Sequence, residues 1–207
     1  MKISKSLIYT ATLSLLLFII TLLGISFNNS ITSLDKSVNI LMPIFQNNSL
    51  ILLSKIINTF FDVKILLIIA LIIIIFLLIK KNNKKSIFMA TLMLIGTGAI
   101  YIIKEIVQRA RPLNTLITET GYSFPSGHTT IATIFFGILS YWALNKTHSK
   151  KIKIYLILLT SLIILIIGLS RLILNIHWLT DILAGLFLGL TILASGILFK
   201  EMLEKNK

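Results

Sequence analysis

Long apolar stretches alternate with short polar ones along almost the whole chain. A helix that crosses a bilayer core of about 30 Å needs roughly 20 mostly apolar residues, and six stretches approach or exceed that length. They cover residues 7–27, 63–79, 86–103, 129–144, 154–169 and 182–199. The pattern predicts an all-α polytopic membrane protein with six transmembrane helices, forming one domain over residues 1–207.

The first apolar stretch follows Lys2 and Lys5, as the core of a signal peptide would. It is longer than a usual signal-peptide core, and no small-residue cleavage site of the A-x-A type follows it. We therefore interpret it as the first spanning helix.

Two different segments separate the first and second spans. Residues 28–49 are predicted to be a polar loop without evident chemistry. In residues 50–61 polar side chains recur at helical spacing on one face and apolar side chains cover the other. This amphipathic pattern predicts an interfacial helix on the bilayer surface, with an extension of the next span as the alternative.

Composition agrees with a membrane protein. Of the 207 residues, 56% are hydrophobic and 13% are charged, whereas soluble domains average about 25% charged residues. The absence of cysteine excludes disulfides, thiolate metal sites and thiol catalysis.

The net charge of +13 does not indicate a nucleic-acid partner, because the basic residues border the apolar stretches. Thirteen of the 20 Lys and Arg residues fall near the termini or in residues 80–85 and 146–153. The positive-inside rule places these loops and both termini in the cytoplasm. The polar segments 104–128 and 170–181 then lie together on the opposite side of the plasma membrane.

Segment 104–128 carries cations and a helix start. Lys104 ends the third span and Arg111 follows seven residues later, and the turn that Pro112 favours would let both converge on one anion. In the string Pro125–His128, the Gly127 backbone and Ser126 hydroxyl suit an anion, and His128 suits proton transfer near neutral pH. The simpler alternatives are a membrane-anchoring charge pair and a helix cap.

Segment 170–181 contains Ser170, Arg171, His177 and Asp181. His177 and Asp181 are four residues apart and share a helix face if the sixth span begins near His177. A carboxylate on one imidazole nitrogen orients the ring and strengthens the other nitrogen as a nucleophile. A surface His–Asp pair that caps a helix is the alternative.

Together the three strings resemble the signature of the type 2 phosphatidic acid phosphatase superfamily. The strings are KxxxxxxRP from Lys104, PSGH from Pro125 and SRxxxxxHxxxD from Ser170, and all eleven fixed positions match. The resemblance implies that His177 is the nucleophile, that Asp181 orients it, and that His128 protonates the leaving oxygen. It implies a phosphate-binding set made of Lys104, Arg111, Ser126, Gly127 and Arg171, and it implies neither a metal nor another cofactor. Arg109 matches no fixed position and is interpreted as a rim charge.

The expected activity is hydrolysis of a lipid phosphate or pyrophosphate at the extracytoplasmic face, because a soluble ester would not require six spans. Undecaprenyl pyrophosphate is the favoured substrate by family analogy, and phosphatidylglycerophosphate, phosphatidate and diacylglycerol pyrophosphate are alternatives. A lipid phosphotransferase would use the same residues. Vanadium haloperoxidases share the signature but are soluble and larger. A non-catalytic lipid-phosphate binding or transport protein would need the cations but not the histidines.

Overall fold

The computed structural model describes residues 5–27 and 29–205, and this part of the chain is mostly helical without strands; its longest connection is residues 108–126. The α-helices are α1 (Lys5–Phe27), α2 (Asn29–Leu41), α3 (Asn48–Phe60), α4 (Val63–Ile79), α5 (Asn83–Val107), α6 (Gly127–Leu144), α7 (Lys150–Ile173) and α8 (Leu179–Lys205). A short 3₁₀ helix, Met42–Phe45, joins α2 to α3.

Each predicted span lies in a helix, and most of these helices extend a few residues beyond the apolar stretch. Five helical stretches are long and apolar enough to cross a membrane: Lys5–Phe27, Asn48–Ile79, Asn83–Val107, Lys150–Ile173 and Leu179–Lys205. Helix α6 is not among them, because its first turns carry His128 and three threonines instead of apolar residues. The sixth crossing therefore stays a prediction.

Helix α6 forms the centre of the bundle. It packs against α4, α5, α7 and α8, and every residue from Gly127 to Phe135 is buried. Helix α8 approaches it most closely at two glycines. An added Cβ at Gly185 would lie 2.7 Å from the Ser126 carbonyl oxygen, and one at Gly189 would lie 2.7 Å from Thr133 Cβ.

The prediction of a polar loop over residues 28–49 is wrong for the part that the structure describes, which excludes residue 28. Most of it is α2 and the 3₁₀ helix. The reason is that Asp35, a residue typical of loops, is only 1% exposed and accepts hydrogen bonds from Thr180. The carboxylate of Asp35 therefore forms hydrogen bonds inside the protein and does not face solvent.

Helix α3 closely matches the predicted amphipathic segment 50–61. Its polar side chains Ser54 and Asn58 face the protein, with Ser54 buried. Leu52 and Phe60 on the other side are 60% and 66% exposed. The helix packs along α7, so the side with Ser54 and Asn58 turns towards the bundle, whereas the polar residues Lys55 and Thr59 are exposed. That it lies on the bilayer surface stays a prediction.

Candidate active site

The two polar segments of the sequence meet at one end of the bundle. The ends of α5 and α7 and the starts of α6 and α8 converge there. The Ser126 N–H donates to the Asp181 carbonyl at 2.9 Å, and the Leu116 N–H donates to the Leu174 carbonyl at 3.0 Å. Backbone hydrogen bonds therefore join the PSGH string to the segment that carries His177.

His177 and Asp181 form a buried pair, being 2% and 0% exposed. His177 Nδ1 lies 3.3 Å from Asp181 Oδ2, which also accepts the Trp178 N–H at 2.9 Å. Helix α8 begins only at Leu179, so His177 lies before the helix. The Asp181 carboxylate reaches back to it from the first turn, and the pair does not depend on a shared helix face. The other ring nitrogen, Nε2, is 3.4 Å from Arg111 Nη1.

Burial lowers the pKa of His177 to about 4, although its hydrogen bond to Asp181 opposes the shift. Its imidazole is therefore neutral at physiological pH. A neutral ring held at Nδ1 by a carboxylate has a lone pair at Nε2, the nitrogen beside Arg111.

Arg109 is part of this arrangement, and its interpretation as a rim charge is wrong. Its guanidinium donates to Asp181 Oδ1 and to Asp35 Oδ2, both at 2.6 Å, and to Thr180 Oγ1 at 2.7 Å. The side chain is only 14% exposed. Arg109 thus bridges two buried carboxylates, which would be costly to bury without a counter-charge.

Three further cations lie at this end of the bundle. The Lys104 ammonium donates to the Tyr122 carbonyl. Arg111 donates through Nη1 to the Ile176 carbonyl at 2.8 Å, and burial lowers its pKa from the usual value. Arg111 also donates through Nε to the Gly121 carbonyl at 3.1 Å and through Nη2 to the Thr120 and Tyr122 carbonyls at 3.2 and 3.5 Å, so each of its guanidinium nitrogens has a partner.

Arg171 is wholly buried, and it differs from the other cations in its bonding. Its Nη1 donates to Asn58 Oδ1 of α3. Its Nε and Nη2 are buried and have no hydrogen-bond partner among the described residues. Buried donors without a partner cost free energy, and an anion such as a phosphoryl group would satisfy them.

The PSGH string starts α6. Ser126 is its N-cap, and the hydroxyl oxygen accepts the Thr129 N–H at 3.4 Å. At Gly127 an added Cβ would have only ordinary contacts at 3.7 Å, so packing alone does not require glycine there. His128 is 7% exposed, and its Nε2 lies 3.3 Å from Asp62 Oδ2.

Sequence reasoning missed three polar groups that the structure adds to the site: Asp35, Asn58 and Asp62. Asn58 and Asp62 had a detectable signal, because they lie four residues apart on the polar face of the predicted amphipathic helix. Asp35 had none, since no spacing relates it to the three motifs. The described residues contain no group of three or more His, Asp or Glu side chains arranged to hold a metal.

These features define a multi-pass helical membrane protein in which cationic side chains and two histidines gather at one end of the bundle. The chain belongs to the PAP2 superfamily, whose family model matches residues 85–205. The matched region contains all three sequence motifs.

Comparisons with Bacillus subtilis show the resemblance in sequence and in structure. Phosphatidylglycerophosphatase B of strain 168 is 32% identical over 107 residues, which are 48% of this chain and 51% of that protein. The alignment thus spans about half the length of this curated relative. The crystal structure of a transmembrane PAP2-type phosphatidylglycerolphosphate phosphatase superposes with a TM-score of 0.84 at 25% identity, covering 96% of this chain and 98% of the other.

Proposed function

We propose that the protein is an integral membrane lipid phosphatase that removes a terminal phosphate through a phospho-histidine on His177. The observation that carries the proposal is the buried His177–Asp181 pair, because the carboxylate holds Nδ1 and the other nitrogen, Nε2, faces the Arg111 guanidinium. A protein that only binds lipid phosphate would need the cations, but not a carboxylate-oriented imidazole among them.

The cations supply the charge stabilisation. Phosphoryl transfer depends mainly on positioning and on neutralising the phosphoryl oxygens. Lys104, Arg111 and Arg171 bring three positive charges to these oxygens, and Arg171 has two donors to spare. Ser126 and the Gly127 N–H at the start of α6 add dipolar donors. With these groups in place, the reaction is proposed to need no metal or other cofactor.

A lipid substrate is supported by an apolar cavity next to the polar groups. The cavity measures about 720 Å³ and lies between α6, α7 and α8. Thr129, Leu172 and Ile182, which neighbour the polar site in sequence, line it together with deeper residues such as Leu186 and Leu193. Its position suits a hydrocarbon chain whose phosphate headgroup enters the cation cluster.

The chain is proposed to cross the plasma membrane six times, with both termini in the cytoplasm and the site outside. This topology rests on the distribution of lysines. Among lipid substrates, the resemblance to phosphatidylglycerophosphatase B favours phosphatidylglycerophosphate. No described residue specifically supports undecaprenyl pyrophosphate, which becomes the second candidate.

The test is phosphate release by the detergent-purified protein in excess EDTA. Phosphatidylglycerophosphate, undecaprenyl pyrophosphate and phosphatidate would be compared, with His177→Ala as the inactive variant. His148→Ala is the matched control, because His148 is exposed in the lysine-rich loop that precedes α7. We expect EDTA-resistant release by the wild type and the control, and at least ~10³-fold less by His177→Ala. Release by a folded His177→Ala variant at the wild-type rate would refute the nucleophile, and strict dependence on Mg²⁺ would refute the metal-free mechanism.

A further inference from the structure

His128 contacts a carboxylate that lies outside the three sequence motifs. Asp62 stands between α3 and α4, and its Oδ2 is 3.3 Å from His128 Nε2. Its Oδ1 accepts the Lys64 N–H at 2.8 Å and caps the N-terminus of α4. One oxygen of the carboxylate is therefore fixed by a helix end, while the other is directed at the imidazole.

Helix α3, which ends two residues before Asp62, contacts a second group of the proposed mechanism. Asn58, one helical turn before Asp62, accepts a hydrogen bond from the Arg171 guanidinium. Ser54, another turn back, is buried. One side of α3 and its end thus contact two groups of the proposed mechanism, Arg171 and His128.

We propose that Asp62 is the positioning residue of His128. It accepts a hydrogen bond from the Nε2–H, which leaves Nδ1 as the nitrogen that serves the phosphoryl group. The inference rests on the proposed function, in which His128 is the acid–base residue. The site then contains two oriented imidazoles, since Asp181 holds His177 at Nδ1 and leaves Nε2 facing Arg111.

The assignment gives each proton a place. In the first step, His177 Nε2 forms a bond to phosphorus, the P–O ester bond breaks, and the Nδ1 proton of His128 moves to the leaving oxygen. In the second step, water oxygen bonds to phosphorus, the N–P bond breaks, and His128 Nδ1 takes a proton from the water. Asp62 keeps the Nε2–H throughout, so it maintains one tautomer and stabilises the imidazolium when Nδ1 is protonated.

The position of Asp62 at a helix start allows its two roles to be separated. Asp62→Ser retains a good N-cap for α4, but the shorter side chain cannot reach His128. Thr59→Ala is a matched control, because Thr59 is exposed on α3 and its hydroxyl bonds only the Lys55 carbonyl. Melting temperatures in detergent would verify that the variants fold.

The decisive measurement is kcat/KM on two esters that differ in their need for a general acid. Phosphatidylglycerophosphate has an alkoxide leaving group that must be protonated, whereas p-nitrophenyl phosphate releases a phenolate that leaves without a proton. For Asp62→Ser we expect a loss of about 10- to 100-fold on the first ester and less than about threefold on the second. His128→Ala should show the same selectivity, and adding Asp62→Ser to it should cause no further loss.

Equal losses on both esters, or additive losses in the double variant, would overturn the inference and assign Asp62 a purely structural role. Wild-type kcat/KM for Asp62→Ser, with His128→Ala impaired, would refute the inference and leave the proposed function standing. Failure of the wild type to exceed the His177→Ala rate on any ester would refute the proposed function and this inference with it.

Discussion

The buried imidazole of His177 couples the stability of the protein to pH. Its pKa is about 4 in the folded protein, against 6.5 for the unperturbed side chain, so the unfolded chain binds more protons between these two values. The stability that the neutral ring contributes is complete above pH 6.5 and is lost as the pH falls from there to about 4.

We therefore expect the melting temperature of the wild type in detergent to fall further on acidification through this range than that of His177→Asn. The Asn side chain still reaches Asp181 but does not titrate. His148→Asn, at an exposed position, should follow the wild type. Parallel curves for the wild type and His177→Asn would contradict the prediction.

At the residue scale, the sequence revealed the site residues that lie close together in the chain. The PSGH string and the His177–Asp181 spacing fall within single turns or short connections, so their proximity was predictable. Arg109 and Asp35 were not recognised, because their ion pair joins residues 74 positions apart. The packing of α2 against α8 brings Asp35 to the start of α8, and Arg109, in the connection after α5, contacts both Asp35 and Asp181 there.

At the element scale, the contact between α6 and α8 sets the geometry of the site. Gly185 faces the Ser126 carbonyl, where an added Cβ would be 2.7 Å from the oxygen. The N-terminal ends of the two helices carry His128 and Asp181. Their separation, and hence the distance between the two imidazoles, depends on this close approach.

We expect Gly185→Ala to separate these helices and to destabilise the protein by about 1–3 kcal/mol, as overpacking typically does. Thermal unfolding and phosphate release should decline together. Gly98→Ala is the control, because an added Cβ there has no atom within 4 Å, and alanine is the better helix former. Equal behaviour of the two variants would show that the contact does not position the site.

The length of the apolar stretches predicted the long helices well, because such stretches have few other structures available. It predicted α2 poorly. That helix is short and mixed in polarity, and its buried carboxylate is stabilised by Arg109 and Thr180, which are distant in sequence. A local pattern cannot distinguish such a helix from a polar loop.

At the scale of the whole molecule, the proposed topology is directly testable because the chain has no cysteine. Leu113, 83% exposed in the connection between α5 and α6, lies on the side of the site. His148 lies in the connection between α6 and α7, at the opposite end of α6. Single cysteines at these two positions would report opposite faces of the membrane.

We expect a membrane-impermeant maleimide to label Leu113→Cys in intact cells and His148→Cys only after permeabilisation. Phosphate release by both variants would verify that they are folded. The reverse pattern would place the site in the cytoplasm. Labelling of both positions from the same side would show that α6 does not cross the membrane.

The family model begins at residue 85, whereas Asp35, Asn58 and Asp62 come from the chain before it. The protein thus has a motif-bearing half and an N-terminal half that completes the surroundings of its histidines. A chimera that exchanged residues before α5 with those of a relative would keep every signature residue and still change the partners of His128, Arg109 and Arg171. Two enzymes with identical signatures can therefore differ in catalysis through a region that no signature describes.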